Sequence, residues 1–88
     1  MGSKHDNRIS IIIVDDHEVV RNGIRSYIET VKDFQVVAEA ASGEAALKLV
    51  SDHIPDIVLL DLIMPGMDGV ETTRRIKQIS PRTQVVVL

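Results

Sequence analysis

Short runs of β-branched and aliphatic residues alternate along this chain with longer stretches in which apolar residues recur every three or four positions. The runs are Ile9–Val14 (ISIIIV), Phe34–Ala40 (FQVVAEA), Ile57–Leu60 (IVLL) and Gln84–Leu88 (QVVVL). Three of them are nearly continuous in apolar residues, the pattern of strands covered on both faces in a parallel sheet. The second is broken at Gln35 and Glu39, which places it nearer a sheet edge.

The intervening segments predict three helices. Val20, Ile24, Tyr27, Ile28 and Val31 make one apolar stripe on a helix from about His17 to Val31, with Asp16 standing where an N-cap belongs. Gly23 inside it lowers its intrinsic stability. A second helix follows Ser42 as N-cap and runs to about His53, turning Ala46, Leu47 and Val50 inward before Pro55 sends the chain into the third strand. The third starts near Asp68, which with Glu71 has the spacing of a capping box. It turns Val70, Ile76 and Ile79 inward and stops before Pro81. The order β-α-β-α-β-α-β implies an open α/β sheet with right-handed crossovers and helices on both faces.

Composition narrows the choice of function. With 88 residues, 44% hydrophobic and 26% charged, the sequence describes one small folded domain. Residues 1–8 read as a polar leader and flexible start, and the domain as residues 9–88. A net charge of −3, one Phe, one Tyr and no Trp argue against direct nucleic-acid binding through basic and stacking residues. The absence of cysteine excludes disulfides and thiolate metal sites and is compatible with a reducing compartment. No apolar run approaches membrane-spanning length.

Acids stand where such a sheet places its chemistry, outside the carboxyl ends of the strands. Asp15 and Asp16 follow the first run, and Asp61 follows the third. In a flavodoxin-like strand order these two strands are neighbours, so three carboxylates converge at the switch point. Such a cluster repels itself unless a cation or proton relieves it, and hard oxygen donors favour Mg²⁺. The plainer alternative is that each Asp only caps a helix or shapes a turn. His17 reads as a solvated residue of the first turn, and His5 and His53 as surface residues. Arg21 and Arg25, one turn apart, suit either a solvated face or a partner-docking surface.

Asp15-Asp16-His17 after an apolar strand, followed by Asp61-x-x-Met64-Pro65-Gly66-Met67-Asp68-Gly69, resembles the receiver domain of two-component response regulators. The likeness runs from about Ile9 to Leu88 and includes Ser42-Gly43-Glu44-Ala45-Ala46-Leu47. It is strongest toward the subfamily with a C-terminal helix-turn-helix of the LuxR type. The resemblance implies that Asp61 accepts a phosphoryl group from a sensor histidine kinase. It implies Mg²⁺ bound by Asp16, Asp61 and the backbone carbonyl of Ile63, with Asp15 acting mainly through a water. The Met64-Pro65-Gly66 turn would keep that loop rigid. It also implies a cytoplasmic switch module rather than a turnover enzyme.

Receivers have five strands and five helices, and Leu88 lies on the fourth strand. The expected architecture is therefore a flavodoxin-like sheet of order 2-1-3-4 lacking the fifth strand and last two helices. The family's switch Ser or Thr and its conserved Lys fall outside this sequence. As a stand-alone chain, Gln84–Leu88 would offer an open edge, and self-association or segment swapping is expected. Two other functions are less suited to these residues. An aspartyl phosphatase needs an acid two residues after its nucleophile, where this chain has Ile63. A fragment serving only interaction or assembly leaves the acid trio without a purpose.

Overall fold

A computed structural model describes residues 7–65 and 68–88. The leader up to Asp6, with His5, and the Gly66-Met67 part of the loop motif lie outside the described residues. The elements are β1 (Ile9–Val14), α1 (Glu18–Ile28), β2 (Phe34–Ala40), α2 (Gly43–His53), β3 (Ile57–Leu60), α3 (Gly69–Ile79) and β4 (Gln84–Val87). The four strands are all parallel and lie in the order β2-β1-β3-β4. This is the flavodoxin-like order, with β2 at an edge as its broken apolar pattern implied.

The sheet separates two apolar layers. Ile12, Val14, Val58 and Leu60 pack under α2 and α3 with Ala46, Val50 and Ile76, all fully buried. Ile11 and Ile13 face the other way and meet Ile24 and Ile28 of α1. β1 thus buries both of its faces, which accounts for its unbroken apolar sequence.

One irregularity governs the geometry of β2. Ile11 pairs with Val36, but the next residue, Ile12, pairs with Ala38. The register shift at Val37 adds a residue to the edge strand, a bulge of the kind that re-aims the side chains after it. Val37 and Ala38 both pack on the α2–α3 side, and Glu39 comes opposite Ile13 on the α1 side. Strict alternation would have put Glu39 on the same face as Gln35. The bulge divides them.

The helices depart from expectation at their ends and along their inner faces. α1 stops at Ile28, because Thr30 and Val31 donate to the carbonyls three residues back, at 3.1 and 2.9 Å, and close a tighter turn. Its N-cap position is His17, not Asp16, and has no side-chain cap. Of its predicted stripe, Ile24 and Ile28 meet the sheet while Val20, Tyr27 and Val31 are exposed. On α3 the inward residues are Gly69, Thr72 and Ile76, at i, i+3 and i+7. Val70 is exposed because it lies off that line, and Ile79, on the line but at the last residue of the helix, is also exposed. Asp68 does cap α3, accepting from the Glu71 amide at 3.0 Å. The Glu71 carboxylate, however, turns to Arg74 and Arg75, so the capping box is one-sided. Ser42 caps α2 as expected, accepting from the Ala45 amide.

Candidate functional site

The ends of β1 and β3 carry the acids. The Asp15 amide donates to the Ala40 carbonyl and the Asp61 amide to the Val14 carbonyl, both at 3.0 Å, so each acid continues the sheet ladder. Asp15 is buried, Asp61 half-buried and Asp16 exposed.

Two local turns aim the carboxylates. Asp15 Oδ1 accepts the His17 amide at 2.8 Å, and Asp61 Oδ1 accepts the Ile63 amide at 2.9 Å. In each case the side chain bonds the backbone two residues on, which is the habit of Asp in tight loops. One oxygen of each acid is thereby committed to the protein, while the other takes no part in that turn.

Asp15, Asp16, His17 and Asp61 each contribute one ligand atom to a group in which all lie within 4.8 Å of one another. The oxygens around a six-coordinate Mg²⁺ at about 2.1 Å stand about 3 to 4.2 Å apart. A small contraction of the three carboxylates satisfies that geometry, and their hard oxygen donors suit the ion. The acid trio expected from sequence is therefore brought together. Ile63 joins it through its amide, while its side chain is exposed. Met64, one residue further, is buried in the α2–α3 layer and anchors the loop. At the start of α3 a Cβ on Gly69 would collide with Leu62, so glycine allows the loop to lie close.

His17 is solvated as expected, but it also borders the acids. Its side chain is 64% exposed, yet Nδ1 lies 3.1 Å from Asp15 Oδ1 and 2.9 Å from Asp16 Oδ1. Arg21 and Arg25, which share a helix face as expected, both reach Glu39. Arg21 Nε donates to Glu39 Oε1 at 3.1 Å, and its Nη1 donates to the backbone carbonyl of Asp15 at 2.6 Å. Arg25 bonds the other Glu39 oxygen and also Glu29. Those carboxylates, Glu29 first and then Glu39, hold the Arg25 guanidinium above its ordinary pKa. Helical spacing could show that the two arginines share a face. It could not show the bulge that turns Glu39 toward them.

The model of the response regulator receiver domain matches residues 11–88. The chain belongs to this family. The receiver is 49% identical over 80 residues to the response regulator protein VraR of Staphylococcus epidermidis, covering 91% of this chain and 38% of that protein. It thus spans well under half the length of this curated relative. Among solved structures, a LuxR-family two-component response regulator from Aurantimonas sp. superposes with a TM-score of 0.85 at 41% identity, covering 91% of this chain and 57% of that one. A chain from the complex of the CheA3 P1 domain with CheY6 of R. sphaeroides gives 0.80 at 39% identity, covering 92% and 63%. The receiver is accordingly close to regulators of the LuxR type, and its fold class and family are those its sequence motifs implied. Among the described residues, no helix is long and apolar enough to cross a membrane.

Proposed function

We propose that Asp61 is the phosphoryl acceptor of this receiver and that Asp15, Asp16 and the Ile63 carbonyl serve the Mg²⁺ that assists it. The observation that carries the reading is the convergence of three carboxylates from adjacent strands within 4.8 Å. An oxygen of Asp61 attacks the phosphorus of a phosphohistidine on a sensor kinase. The P–N bond breaks, the imidazole leaves with its electron pair, and an acyl phosphate forms on Asp61. Two anions must meet in that step, and bound Mg²⁺ supplies the charge neutralisation that lets them approach.

The chain's own residues provide position. The Ile63 amide fixes one Asp61 oxygen, the ladder bond to Val14 fixes its backbone, and buried Met64 steadies the loop beyond. Exposed Val19, Ile63 and Val70, at the same end of the sheet, give an incoming kinase domain an apolar rim to rest on. In the full-length protein the modified receiver would switch a DNA-binding output in the cytoplasm. Acetyl phosphate with MgCl₂ tests the proposal. Mass spectrometry should find one phosphoryl group on Asp61, absent from Asp61→Asn and absent in EDTA. Labelling elsewhere, or none, overturns it.

A further inference from the structure

We infer that Arg21 is a positioning residue for the acid pocket, held in place by the bulge that turns Glu39 toward α1; this rests on the metal-binding reading of Asp15 and Asp16. The guanidinium bridges two elements. Nε pairs with Glu39 at the end of β2, and Nη1 donates to the Asp15 carbonyl at 2.6 Å. Both side chains are largely buried, Arg21 16% and Glu39 18% exposed. A charge-assisted bond of that length to a backbone carbonyl is strong and directional.

The Asp15 carbonyl belongs to the peptide that joins Asp15 to Asp16. On the N-terminal side of Asp15 the preceding peptide is already fixed, because Asp15 N–H donates to the Ala40 carbonyl. Arg21 fixes the other side, and so sets how the chain leaves β1 and where the Asp16 carboxylate stands relative to Asp15. Loss of a group that holds metal ligands in this indirect way typically costs roughly 10–100-fold in metal affinity or activity. Arginine suits the role because its planar fork serves a carboxylate and a carbonyl together, whereas lysine offers one point charge.

Charge and position predict opposite signs, which makes the inference testable. Removing a cation beside three carboxylates should by charge alone strengthen Mg²⁺ binding. Loss of positioning should weaken it. Mg²⁺ titrations of the intact protein, followed by amide chemical shifts, are compared for wild type, Arg21→Gln, Arg21→Lys and Arg25→Gln, with thermal melts beside them. Arg21→Gln should bind Mg²⁺ about tenfold more weakly. Arg21→Lys, which keeps the charge and replaces the fork, should also bind more weakly, and it carries the test if the Gln variant does not fold. Arg25→Gln, which takes a partner from Glu39 without touching Asp15, should match wild type in affinity. Unchanged or tighter Mg²⁺ binding by both Arg21 variants overturns the inference. A wild type that shows no Mg²⁺-dependent shifts at Asp15, Asp16 or Asp61 overturns the reading of the site itself.

Discussion

Neutralising Asp61 should make the metal-free receiver more stable while abolishing its function. Asp61→Asn keeps an Oδ1 acceptor for the Ile63 amide, so the turn after β3 survives. It removes one of three negative charges whose ligand atoms lie within 4.8 Å of one another. At that separation each like-charge pair costs about 0.9 kcal/mol in a water-like dielectric and more in the partly buried setting of Asp15. Two pairs disappear, and solvent screening at exposed Asp16 takes back part of the gain. A net gain of about 1 kcal/mol remains, equivalent to a rise of roughly 4–8 °C in melting temperature for a domain of this size. The assay is circular dichroism melting of the intact protein in EDTA and again in millimolar MgCl₂. Wild type should be the less stable protein in EDTA and should gain on adding Mg²⁺, because binding to the folded state adds its own stabilisation. The Asn variant should respond weakly. A variant that melts at or below wild type in EDTA would refute the claim that the acids strain the empty pocket.

Two further outcomes concern the scaffold. Thr83 is fully buried, donates to the Pro55 carbonyl at 2.6 Å and meets Ser80 Oγ at 2.6 Å, tying the start of β4 to the start of β3. Thr83→Val keeps the shape but strands both partners, and urea denaturation should show a loss of about 1–3 kcal/mol. Hydrogen bonds from Arg74, and then Arg75, hold the Glu71 carboxyl below its ordinary pKa of 4.5. A depressed folded value means the stabilisation is present above pH 4.5 and fades as pH falls through the folded pKa. Wild type should therefore melt slightly above Glu71→Gln at pH 6, with the gap closing in acid and in high salt.

The sequence showed the strands well because their chemistry is local. Ile9–Val14, Phe34–Ala40 and Ile57–Leu60 appear with the limits their apolar runs suggested, and the fourth differs only at Leu88. The acids were legible for the same reason, since each is the first polar residue after a run that sheet topology places beside its neighbour. Helix faces were less legible. On α3 the inward line holds Ile76, as expected, but also Gly69 and Thr72, which a reading weighted to large apolar side chains passes over. Thr72 is buried while Val70 is not, because position on the helix outranks hydropathy. On α1 the apolar stripe is wider than the surface the described sheet offers, so Val20 and Tyr27 remain exposed. The Arg21 contact was illegible in principle, because it depends on a strand register that no short pattern of hydrophobicity encodes.

Edge strands are ordinarily where a fold best tolerates the gain or loss of a residue. β2 shows where that slack lies, at Val37. Deleting Val37 would remove the bulge and leave Glu39 opposite Ile13 and Ala40 opposite Val14, so Arg21 would keep its carboxylate. A deletion within β1 has no such slack, because that strand is paired on both edges and would lose register against β2 and β3 together. The spare residue of the edge strand is therefore a tolerance built in beside the acid pocket. A variant library of single-residue deletions should find the Val37 position tolerant and every position of β1 intolerant.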